Sequence, residues 1–236
     1  MAGFAKGLLV GILCICLGGL GWLLIAQPHF TAAEAQDLKN QFTREVPGED
    51  LSGNISLEGE MLDWESLQVQ YPDVKGWLTI PGTCVDYPVL QSSPQDPEHY
   101  LRRNYDHKWR MAGSLFFQYD CSLDNLNLVI FGHNMTDGSM FAILKKMADP
   151  VYLQNHSTVL LQTAEGVTEY RILKAMATDT NWLGFNRTQF AGSEDFVAFA
   201  GSMGIQAGPE DRLLTLVTCS YDWEEARTVV VARKEK

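Results

Sequence analysis

The chain has 236 residues, 46% hydrophobic and 20% charged, a globular composition that excludes a wholly disordered, collagen-like or coiled-coil protein. Eighteen Lys and Arg stand against 29 Asp and Glu, a formal net charge of −11, which argues against nucleic acid as a partner because phosphate backbones are repelled. Five Cys are too few for a disulfide scaffold of this length.

Residues 1–26 carry one charged side chain, Lys6, and Gly7 to Ala26 carry none. As a helix that run spans roughly 30 Å, enough to cross the hydrocarbon core of a bilayer. It predicts a transmembrane anchor over 7–26 with a cytoplasmic tip at 1–6, since Lys6 and the amino terminus favour the inner side. Residues 27–236 then lie outside. The competing reading is a cleaved leader with Ala33-Glu34-Ala35 as its site, but the apolar run is longer than an ordinary leader core.

Residues 27–60 are polar, contain Pro47-Gly48 and Ser52-Gly53, and read as a stalk with a short helical periodicity near 31–44. The segment 61–236 reads as one catalytic domain. Its first element is a short helix over 62–71, with Leu62, Leu67 and either Val69 or Tyr71 inward, ended by Pro72. Eight strands follow, at 76–80, 85–91, 114–118, 127–132, 158–162, 169–177, 213–218 and 228–233. Helical insertions are predicted at 97–103, at 139–147 with Ser139 as the cap, and at 193–203. The fold class is mainly β, a barrel or a sandwich. Three thiols lie outside the anchor: Cys84, Cys121 and Cys219. An odd number in an exported domain leaves at least one free, and pairing of Cys84 with Cys121 stays open.

Two segments carry residues suited to chemistry. In 213–233 (LLTLVTCSYDWEEARTVVVAR) two apolar runs flank eight residues. Paired as a hairpin, they set Cys219 beside Arg227 at one rim of the sheet. A cation beside a thiol favours its nucleophilic thiolate, and a guanidinium can equally hold an oxyanion. In 129–141 (VIFGHNMTDGSMF) His133 leaves a strong apolar strand, a position suited to acid–base work near neutral pH. The plainer alternatives are a buried structural Cys, a surface Arg and a structural His. No His pair has metal-ligand spacing and no Cys-x-x-Cys occurs, so neither a metal site nor a cofactor is expected.

These residues resemble those of a known family, the sortases, and within it class B. The matching pieces are FGHNMTDGSMF, TLVTC with Arg227 eight positions after Cys219, and RTVVVAR. Upstream, DVKGWLTIPGTCVDYPVLQ and the HYL of 99–101 also match, in family order. The resemblance covers residues 62–234. It implies a closed eight-stranded sortase β-barrel with N-terminal helices and a helix, here 193–204, before the Cys strand. It implies a cysteine transpeptidase of Gram-positive bacteria that cleaves a C-terminal sorting signal of secreted proteins after Thr. The thioester on Cys219 then passes to an amine of a peptidoglycan precursor or a pilin Lys. His133, Cys219 and Arg227 are the implied catalytic residues, and Leu101 and Thr218 the implied substrate-binding ones. Two positions depart from the class pattern: Phe131 stands where Tyr is common, and Val217 where Ser is common. No sorting-signal sequence is therefore carried over. The competing readings are another thiol enzyme, whose motif or Cys-to-His order does not match, and a catalytically decayed, membrane-tethered binding module on the same scaffold.

Overall fold

A computed structural model of the chain describes residues 27–45, 60–180, 184–220 and 222–235. The sixteen-residue helix α1 (Gln27–Phe42) comes first. Thr31, Ala35, Leu38 and Phe42 are buried along it, spaced by four, three and four residues, so one stripe faces the body of the protein. Burying a side chain such as Leu38 contributes about 1.5–3 kcal/mol. Polar contacts fix the docking. Lys39 Nζ lies 2.7 Å from Asp86, and Glu34 accepts from Arg110 Nε at 2.9 Å and Asn104 Nδ2 at 2.8 Å. The short periodicity expected near 31–44 is thus a full helix packed on the domain. The sequence hid it because its apolar stripe is narrow and its exposed faces are strongly polar.

Strands β1 (Thr43–Glu45) and β2 (Glu60–Leu62) pair antiparallel and lead into α2 (Trp64–Gln70). Asp63 caps α2 by accepting from the Ser66 N–H at 3.3 Å. Trp64 and Leu67 face inward, Val69 is 82% exposed, and Tyr71 is half-buried against the same cluster. Tyr71 is therefore the inward choice of the two.

The remaining strands are β3 (Val74–Thr79), β4 (Asp86–Gln91), β5 (Leu115–Phe117), β6 (Asn127–Phe131), β7 (Thr158–Thr163), β8 (Gly166–Asp179), β9 (Leu213–Cys219) and β10 (Ala226–Lys234). They close a barrel in the order β10-β8-β7-β3-β4-β5-β6-β9. The expected eight-stranded barrel is present. Two of its pairs, β4 with β5 and β6 with β9, are parallel. The predicted helix before the Cys strand is α4 (Ser193–Ser202). Two other insertions tighten into 3-10 turns, His99–Leu101 and Ala142–Ala148, and a capped helix α3 (Pro150–Asn155) follows the second. Ser139 caps neither; its hydroxyl and its N–H both donate to Asp137.

Strand alternation divides the core. Leu214, Leu216, Ile130 and Val230 point into the barrel. Leu213, Val217, Val129, Val229 and Val231 point outward, beneath Phe196, Phe199 and Met203 of the α4 region. Continued past the covered part of the sheet, the outward register of β6, β9 and β10 falls on residues 133, 219 and 227.

The three thiols are free, so Cys84 and Cys121 do not pair. Cys84 is exposed and donates to the Gly138 carbonyl at 3.2 Å, while Cys121 accepts from the Val129 N–H at 3.3 Å. Among the described residues no helix is long and apolar enough to cross a membrane, and the charge-free run at 7–26 lies outside them.

Candidate active site

The β9–β10 hairpin sets Cys219 directly opposite Arg227, as the sequence predicts. Its connection is closed by the Ser220 N–H donating to the Ala226 carbonyl at 2.8 Å, with Glu225 in the left-handed region at φ 62°. Asp222 braces this turn by accepting from Ser220 Oγ and Lys145 Nζ, each at 2.5 Å. Arg227 Nη1 donates to the carbonyls of Ala226 at 3.1 Å and Glu225 at 3.3 Å. Among the described residues no carboxylate lies within ion-pair distance of Arg227. Its guanidinium is held by backbone oxygens.

His133 arrives from β6, which runs parallel to β9 with Phe131 opposite Val217. The Gly132 N–H extends the ladder to the Val217 carbonyl at 3.1 Å. Glycine suits this position, because a Cβ would lie 2.4 Å from Leu115 Cδ2 and 2.7 Å from Phe141 Cδ2 and would force these two buried side chains to shift. His133, Cys219 and Arg227 line one open cavity of about 400 Å³, shared with Leu101, Thr218 and Phe131.

The imidazole has a fixed orientation. His133 Nε2 lies 2.8 Å from the Leu101 carbonyl oxygen. A carbonyl only accepts, so Nε2 carries the hydrogen and Nδ1 is the basic nitrogen of the neutral ring. Burial holds the imidazole below its ordinary value of 6.5, and the positive charge of Arg102 acts in the same direction. The bond to Leu101 opposes both. At neutral pH the ring is therefore mostly uncharged and ready to take a proton.

Leu101 meets the site through its carbonyl, which nothing in its side chain could announce. Thr218 lies in the cavity wall with its hydroxyl buried and without a partner among the described residues. Sequence reasoning missed Glu98, Gln118, Tyr119 and Asn186, which also line the cavity. They come from three separate connections, and only the closed barrel gathers them. Among the described residues no group of three metal-ligating side chains converges.

A thiol, an imidazole and a guanidinium at the rim of a closed eight-stranded barrel define a cysteine transpeptidase of the sortase type. A family model described as the Sortase domain matches residues 78–235. Sortase B of Listeria monocytogenes is 33% identical over 207 residues, covering 82% of this chain and 80% of that protein. The crystal structure of Clostridium perfringens sortase B superposes with a TM-score of 0.68 at 30% identity, covering 73% of this chain and 99% of that one. A Staphylococcus aureus sortase B–substrate complex gives a TM-score of 0.66 at 27% identity, covering 73% and 84%. The chain belongs to the sortase family and, within it, to class B.

Proposed function

We propose that this sortase is membrane-anchored through residues 7–26, with its catalytic domain outside the cell, and cleaves sorting signals of secreted proteins after Thr. The charge-free run and Lys6 support the anchor and its orientation. The observation that carries the chemistry is the register of Cys219 against Arg227, with His133 in the same cavity.

In this reading neutral His133 takes the Cys219 thiol proton, and the resulting thiolate attacks the Thr carbonyl carbon while the carbonyl π electrons move to oxygen. Arg227, which makes no ion pair among the described residues, stabilises that oxyanion. The intermediate collapses, the peptide C–N bond breaks, and protonated His133 gives its proton to the departing amine. A thioester remains on Cys219. An amine of the cell wall or of a pilin then attacks the thioester, His133 takes its proton, and the thiolate leaves. The bond from Nε2 to Leu101 leaves Nδ1 as the nitrogen through which these protons pass. Leu101 and Thr218 stand in the wall of the cavity that the sorting signal would occupy.

The test is a randomised peptide library with Thr at a fixed position, incubated with the protein with and without a primary amine and read by mass spectrometry. The expected products end in Thr and, with the amine, carry it as an amide. The Cys219→Ala variant should yield neither. Cleavage elsewhere, or cleavage that persists in Cys219→Ala, would contradict the reading. A wild type that binds peptides without cleaving any would point to the decayed binding module.

A further inference from the structure

Parallel β6 and β9 make their last regular bond at the Gly132 N–H, which donates to the Val217 carbonyl. In a parallel ladder the next donor on the same strand is two residues on, at 134. Its acceptor is two residues past Val217, the Cys219 carbonyl. A donor does reach that acceptor, but it is a side chain: Asn134 Nδ2 donates to the Cys219 carbonyl at 2.9 Å.

The main chain of this segment runs elsewhere. Asn134 forms an isolated bridge with Met140, and the Phe141 N–H donates to the His133 carbonyl at 2.9 Å. Met140 takes a positive φ of 55° to close this return. The two strands thus part at the point where the cavity opens. The Asn134 amide spans the gap and ties the residue after His133 to the carbonyl of Cys219.

We propose that Asn134 is a positioning residue of the thiol–imidazole pair, its amide replacing a ladder N–H so that Cys219 and His133 keep their mutual placement while the strands separate. The proposal rests on the reading of Cys219 and His133 given above. It requires a donor of this length. An aspartate has the same shape, but its carboxylate cannot donate and would face the carbonyl oxygen with like charge. Once protonated, the same side chain can donate again.

The experiment compares Asn134→Asp, Asn134→Ala, Cys219→Ala and wild type on the peptide that wild type cleaves best from the randomised library. Both Asn134 variants should lose about tenfold or more in kcat, with KM within about threefold, because misplacement acts on the reacting atoms rather than on binding. The distinguishing readout is pH. From about pH 7.5 to about pH 5, the activity of Asn134→Asp relative to wild type should rise as the carboxylate gains its proton, while that of Asn134→Ala stays flat. If Asn134→Ala does not fold, the Asn134→Asp ratio still decides. Near-wild-type kcat in the variants, or a pH-independent ratio for Asn134→Asp, would overturn the proposal. An inactive wild type or an active Cys219→Ala would remove the thiol reading, and the proposal with it. An active wild type, an inactive Cys219→Ala and unaffected Asn134 variants would remove the proposal alone.

Discussion

Gly113 holds the orientation of His133 at one remove, and replacing it by Ala probes that arrangement. Its φ is +55°, a conformation that costs an L residue about 1–2 kcal/mol. The larger effect is steric. A Cβ at residue 113 would lie 2.3 Å from the Leu101 oxygen and 2.5 Å from the Tyr100 oxygen. Real Cβ contacts do not fall below 3.0 Å, so the Leu101 carbonyl must retreat by about 0.7 Å. That carbonyl is the acceptor for His133 Nε2 at 2.8 Å. A displacement of that size, against a bond whose useful range is about 2.7–3.2 Å, disturbs its length or its angle whichever way the carbonyl moves. The imidazole loses its fixed tautomer and orientation, and misplacement on the ångström scale costs up to about a hundredfold in rate. We expect Gly113→Ala to lose about tenfold to a hundredfold in kcat. Gly82→Ala is the control, with φ +76° and a nearest contact of 3.4 Å to the His156 ring, so it carries backbone strain without a carbonyl clash. Kinetics on a cleavable peptide, thermal melts, and the His133 ring resonances by NMR form the assay. Equal loss of thermal stability in both variants, with unchanged kcat and unchanged ring resonances in Gly113→Ala, would refute the role assigned to the Leu101 carbonyl.

Further outcomes follow from the site and from the thiols. Arg227→Ala should lower kcat by about a hundredfold or more, and Arg227→Lys should recover part of it, since the charge returns without the planar fork; full activity in Arg227→Ala would remove that residue from the site. Arg102→Ala removes one cause of the lowered His133 pKa, so an NMR titration should show the ring charging at higher pH than in wild type; no shift, or a downward one, would contradict the assignment. In wild type the folded pKa lies below the unfolded one, so the unfolded chain binds more protons: His133 costs stability as pH falls below about 6.5 and costs nothing well above it. Alkylation without reductant should find no disulfide among Cys84, Cys121 and Cys219, with Cys121 labelled only after unfolding because burial pushes its thiol up to about 12; a Cys84–Cys121 bridge would overturn this.

The eight strands were legible as short apolar runs between clear turn residues, but those runs left barrel and sandwich open, and the closed barrel was implied only by the resemblance. Strand alternation carries the site: Val129, Phe131 and His133, Val217 and Cys219, and Arg227 and Val229 each share a face in the bare sequence. The hairpin of Cys219 with Arg227 is a local pairing, so its register could be read directly. The place of His133 could not, because β6 and β9 are parallel and their meeting depends on the closed barrel. That non-local pairing also hid the bond from Asn134 to Cys219, which joins residues 85 apart. Leu101 lines the cavity and in addition offers its backbone oxygen to His133, a contact its side chain could not announce. Helix α1 was undercalled because its buried stripe holds Thr31 and Ala35, weak signals until Leu38 and Phe42 are placed against the barrel.

The central claim is that Cys219 carries the acyl group, and an acid-quenched reaction analysed by intact mass and peptide mapping tests it directly. Wild type incubated with a cleavable peptide and no amine should gain the mass of the N-terminal fragment, located on the peptide containing Cys219. The adduct should vanish on adding a primary amine and never form in Cys219→Ala. Cleavage without an adduct in wild type, or an adduct on any residue other than Cys219, would contradict the account.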